Sequence, residues 1–74
     1  MKLIDAQEGK SYTVTDIATG DAELDAFLLT LGCYAGEEIT LVRRRRGVLI
    51  ILIKGAKYCI DTRLGGVITV AEKE

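Results

Sequence analysis

Four consecutive arginines, Arg43 to Arg46, hold the tightest cluster of charge in the sequence. Guanidinium groups at that density suit two chemistries. One is contact with phosphate, on a nucleic acid or an anionic lipid headgroup; the other is steering toward an acidic protein surface. Readout of single-stranded bases asks for aromatic stacking platforms beside the basic groups. The aromatic residues are Tyr12, Phe27, Tyr34 and Tyr58, and none adjoins the run. The net charge of −1 also departs from the strongly basic total of a dedicated nucleic-acid binder. Arginines beside a greasy strand have a plainer use too, as gatekeepers against edge-to-edge aggregation.

Other reactive side chains are sparse. Histidine is absent, which removes the commonest general base and metal ligand. Cys33 and Cys59 are too few for a zinc framework and read as reduced, buried small hydrophobes. Iron binding through them and nearby acids has no ligand motif behind it, and no cofactor is implied. No glycine-rich phosphate loop occurs, and no Ser–His or Cys–His couple can form. Asp61 and Arg63 read as a local ion pair. The chain is therefore expected to bind rather than catalyse.

A six-residue apolar run, Val48 to Ile53, follows the arginines after Gly47. Strand periodicity splits it. Leu49, Ile51 and Ile53 point one way, and Val48, Ile50 and Leu52 the other. One set fills a core. The other needs a cover, either the helix or N-terminal segment of the same chain, or a partner protein. The arginines alternate as well, with Arg44 and Arg46 on one face and Arg43 and Arg45 on the opposite one.

The rest of the sequence must position this hairpin. With 74 residues the chain reads as a single domain, 1–74, with a small core. Residues 11–18 read as a strand rich in aromatic and β-branched residues. Val14 and Ile17 have opposite parity there, which a bulge or bend between them would reconcile. Leu24, Phe27, Leu28 and Leu31 follow helical spacing and form one face of a helix, with Phe27 expected in the core it packs on. Asp21 is placed as N-cap and Gly32 as left-handed C-cap, so a helix is expected over about Ala22 to Leu31. From Gly36 onward, short strands alternate with glycine breaks: residues 37–46, 48–54, 56–61 and 67–70, with Thr62 to Gly66 as a turn. The expectation is mainly β, a small closed or nearly closed barrel of about five strands. One short helix, between the first and second strands, lies across an open end. Charge is uneven along the chain. Up to Val42, Lys2 and Lys10 face eight acids, giving −6; from Arg43 onward eight bases face three acids, giving +5. The longest apolar run is far short of the roughly 20 residues of a spanning helix, and no leader is recognised, so a cytoplasmic protein without membrane insertion is expected.

The order of these elements resembles the ferrous iron transport protein A (FeoA) family. The resemblance rests on Leu28-Leu29-Thr30-Leu31-Gly32, then Gly36 opening Glu37-Glu38-Ile39-Thr40-Leu41-Val42. It continues through the alternating Leu49, Ile51 and Ile53, the short Tyr58-Cys59-Ile60 strand and the closing Ile68 and Val70. It covers nearly the whole chain. The sequence departs from the family pattern at the tight Arg46-Gly47-Val48 turn, at Asp61, at Gly65 where the family often has alanine, and at Ile50 where it often has a polar residue. What the resemblance implies is an SH3-like β-barrel, and an accessory role in bacterial ferrous iron uptake. The implied partner is the cytosolic portion of the membrane transporter that carries a GTP-binding domain. Location at the inner face of the membrane and a monomer or weak dimer follow as expectations. The docking residues are then expected to be Arg43, Arg44, Arg45, Arg46, Val48, Ile50 and Leu52. The alternatives are a nucleic-acid or headgroup binder using the arginine hairpin, and a self-associating interaction domain.

Overall fold

In the computed structural model, which describes residues 1–17 and 19–73, strand β1 (Ser11–Ile17) buries Tyr12 and Val14 and then changes phase. Its pairing with the last strand runs Val14 to Val70 and then Asp16 to Thr69, so Thr15 is the extra residue of a bulge. The phase change lets Ile17 pack against the same core as Val14. This is the reconciliation that the opposite parities of Val14 and Ile17 demand.

Helix α1 (Ala22–Thr30) follows. The Asp21 carboxylate caps its first turn by accepting the Glu23 and Leu24 amides, at 2.9 and 3.4 Å. At the other end Gly32 takes φ +86°. The Cys33 amide then reaches back to the Leu28 carbonyl at 2.9 Å and the Gly32 amide to Leu29 at 3.0 Å, which closes the helix in a Schellman motif. The helix ends are therefore those the sequence predicts. Its buried face is not. Leu28 is buried, but Leu24 and Phe27 stand 38% and 48% exposed, so Phe27 is no part of the core. The N-terminal segment adds to the core instead, through a 3₁₀ turn at Leu3–Asp5, with Leu3 and Ala6 buried.

Strands β2 (Glu38–Arg45), β3 (Val48–Ile53) and β4 (Ala56–Asp61) form a meander. The β3–β4 turn is Lys54-Gly55 with φ +50° and +82°, the type I′ geometry that matches strand twist. A one-turn helix, α2 (Thr62–Gly65), leads to β5 (Ile68–Glu72). All neighbours pair antiparallel in the order β4-β3-β2-β1-β5. Buried residues of all five strands converge on one apolar cluster, so the sheet wraps round its own inner face. Among the described residues β4 and β5 do not pair with each other, and the barrel keeps a seam there. Helix α1 lies beside this seam. Its Leu24 shares a groove with Asp61, Leu64 and Val67, and its Asp25 and Leu29 share another with Asp16 and Ile17. The fold is the mainly β, SH3-like architecture with one short helix between the first two strands.

Candidate docking surface

The arginine hairpin is shaped by a second bulge. Leu41 pairs with Ile51 but Arg43 pairs with Ile50, so Val42 is the extra residue. Before the bulge Ile39 and Leu41 point inward; after it Arg44 takes the register position opposite Leu49, on the core side of the strand, but remains exposed. The bulge therefore decides the fate of each arginine. Arg43 and Arg45 take outward positions beside Ile50 and Val48. Arg44 turns toward the N-terminal segment, where its guanidinium donates to the Ile4 and Ala6 carbonyls at 2.6 Å each. Its amide donates to the Glu8 carboxylate at 2.6 Å. Arg46 stands at the tip before Gly47, which has φ +72°.

The outward set of β3 forms a stripe. Val48, Ile50 and Leu52 are half-buried while Leu49, Ile51 and Ile53 are fully buried. Cross-strand register gives each member its neighbours. Val48 lies between Arg45 and Asp61, Ile50 between Arg43 and Cys59, and Leu52 between Thr40 and Lys57. Among the described residues no carboxylate comes within 4.0 Å of the Arg43, Arg45 or Arg46 guanidinium. Asp61 at the end of the stripe is occupied. It accepts the Leu64 amide at 2.9 Å as the cap of α2, and it pairs with Arg63 at 3.4 Å. The Leu64 hydrogen bond first, and then the Arg63 charge, hold its carboxyl below the usual range. This bears out the reading of Asp61 and Arg63 as a local pair.

Of the seven residues expected to dock, Arg43, Arg45, Val48, Ile50 and Leu52 share one face, Arg46 marks its tip, and Arg44 is diverted. Cys59 corrects the expectation of two buried thiols. Cys33 is buried, but Cys59 is exposed on β4, because Ile60 takes the inward position. Cys59 and Lys57 were missed as members of the face, although the alternation in Ala56 to Asp61 carries that signal. Among the described residues no three of Cys, Asp and Glu gather in a way that would hold a metal ion. A half-exposed apolar stripe rimmed by unpaired guanidinium groups has the chemistry of a binding face.

A family model described as the FeoA domain matches residues 1–72. No curated protein matches the sequence. Among solved structures, the chain superposes on the crystal structure of an iron uptake regulatory protein (FeoA) with a TM-score of 0.89 at 23% identity, over 99% of this chain and 97% of that one. It superposes on the solution structure of the FeoA protein from Chlorobium tepidum with a TM-score of 0.88 at 20% identity, over 97% of this chain and 70% of that one. A manganese-dependent transcriptional repressor gives a TM-score of 0.90 at 19% identity, over 99% of this chain. This chain spans 41% of that repressor's length. At these identities the likeness concerns the fold.

Proposed function

Because the chain belongs to the FeoA domain family, we propose that it is a non-enzymatic accessory protein of bacterial ferrous iron uptake. It docks on the cytosolic portion of the membrane transporter that carries a GTP-binding domain, and modulates it. The observation that carries the role is the family match across residues 1–72. What supports the docking surface is the stripe of Val48, Ile50 and Leu52 on β3. These residues supply apolar area, with Ile50 at the centre of the face as its anchor. Arg43, Arg45 and Arg46 supply orientation and encounter rate toward an acidic surface. Among the described residues no helix is long and apolar enough to cross a membrane. The reading has the protein acting from the cytosol, against the inner face.

The nucleic-acid and headgroup alternatives lose ground by one arginine, since Arg44 is held by N-terminal carbonyls. The register also sets no aromatic ring beside the stripe on which a base could stack.

The test is an amide-shift titration of the labelled protein with the soluble GTP-binding domain of the transporter. Shifts are expected along Arg43 to Leu52 and at Lys57 and Cys59. Ile50→Glu is expected to keep the fold and to weaken docking by about 2 kcal/mol or more, roughly thirtyfold, as for a central interface anchor. A shift map confined to other surfaces, or an Ile50→Glu variant that docks as the parent does, would sink the assignment. Alkylation of Cys59 gives an independent footprint, because docking should slow it.

A further inference from the structure

Among the described residues four ion pairs absorb part of the charge: Lys10 with Glu72, Lys54 with Glu37, Arg63 with Asp61, and Lys73 with Glu38. Much of what they leave is sorted by place. Asp16, Asp21, Glu23 and Asp25 have no basic partner within 4.0 Å among the described residues, and all lie at the end of β1 or on the first turn and cap of α1. Arg43, Arg45 and Arg46 have no acidic one, and all lie on the β2–β3 hairpin. The charge split along the sequence thus survives folding in part, as one acidic and one basic patch, with Glu8 set apart from the acidic patch where it accepts the Arg44 amide.

The acidic patch contains a groove. It is open to solvent, encloses about 340 Å³, and runs between α1 and β1, with Asp16, Ile17, Asp25, Leu29 and Tyr34 along its sides. Leu29 is 60% exposed and Tyr34 38%, so the groove is apolar as well as acidic. One Asp25 oxygen accepts the Thr19 hydroxyl at 2.6 Å, which leaves the other oxygen free. The Lys54 ammonium stands 5.4 Å from the Tyr34 ring, but Glu37 neutralises it at 3.2 Å. An arginine side chain matches such a groove. Its methylene stem covers Leu29 and Tyr34 while its guanidinium reaches the two carboxylates.

We propose that a second copy of this chain seats its arginine hairpin, Arg45 and Arg46 foremost, in the groove between α1 and β1, so that the protein associates head to tail. The two patches are different surfaces, so the contact is heterologous. It repeats into a ring or a chain of copies instead of closing as a two-fold dimer. Self-association then competes with any partner that takes the same hairpin. The inference stands without the transporter reading, because only this protein is needed to test it.

Sedimentation velocity over a concentration series decides it. The sedimentation coefficient should rise with concentration at about 0.01 M salt. The rise should vanish near 1 M, as the screening length falls from about 30 Å to about 3 Å. Two double variants at exposed positions separate the patches: Asp16→Asn with Asp25→Asn, and Arg45→Gln with Arg46→Gln. Each alone should sediment as a monomer at every concentration, with unchanged circular dichroism. An equimolar mixture should form a dimer that grows no further, since each variant supplies the one patch the other lacks. A parent protein that stays monomeric overturns the proposal. So does association that persists in either variant, or a mixture that remains monomeric.

Discussion

Cys33 lies against the core behind α1, and burial pushes its thiol up to about 11, whereas Cys59 stands exposed beside Ile50. The thiolate is the nucleophile, so the native protein should take up one equivalent of an alkylating reagent rapidly, at Cys59. A second equivalent should follow only on unfolding, and mass spectrometry of the modified peptides reads both. Cys33 also sets a pH dependence. Its folded value lies above the ordinary 9.0, so between the two values the folded chain holds a proton that the unfolded chain has lost. This contribution is fully present below about pH 9. It fades as pH rises through about 11, amounting by then to roughly 2–3 kcal/mol at 1.36 kcal/mol per pH unit. Denaturant midpoints measured between those limits should fall, and Cys33→Ala should remove that part of the decline. The general tendency of free cysteines to be buried holds for one thiol and fails for the other. The strand alternation of Lys57, Cys59 and Asp61 was the better guide at Cys59. Arg44 was beyond either kind of reasoning. Which arginine takes the core side of the strand depends on the bulge at Val42, and no glycine or other breaker marks it.

Helix α1 was legible at its ends and illegible on its face, for one reason. The caps are local: Asp21 and Gly32 satisfy amides and carbonyls within a few residues of themselves. Whether Leu24 and Phe27 find a cover depends on the rest of the chain, and both stay exposed while the N-terminal Leu3 and Ala6 are buried. The same nonlocality appears at α2. Gly65 is buried, and a Cβ built on it would lie 2.4 Å from Leu49 Cδ1 and 3.5 Å from Ile4 Cβ. Alanine, which the resembling family often carries there, needs a smaller or differently turned neighbour than Leu49. Gly65→Ala should therefore cost about 1–3 kcal/mol by overpacking. Leu49→Val in the same chain should recover part of it, so a double-mutant cycle by urea denaturation should give a favourable coupling. Additive losses would show that α2 moves as a unit and that Leu49 is not the obstacle.

At the scale of the whole molecule, the class of fold, the number of strands and the place of the helix were readable, because each strand announces itself by alternation and glycine breaks. Which strands pair was less so. The β2–β3–β4 meander follows from short turns, but the pairing of β1 with β5 joins the two ends of the sequence. The N-terminal residues go with it: the Met1 ammonium donates to the Val70 carbonyl at 3.0 Å, the Val70 amide returns to the Met1 carbonyl at 2.7 Å, and Lys2 bridges to Thr69. This arrangement has a consequence for the chain as it is made. The partner of Val14 is Val70, so at roughly 5–20 residues per second the first strand waits several seconds for its neighbour to be synthesised. During that interval the Val48 to Ile53 run has no finished barrel to enter. A nascent chain halted with β5 still in the exit tunnel should be cut by protease throughout β1, and one released beyond it should resist. Protection appearing before β5 emerges would mean that the meander folds alone and that β1 docks on it later.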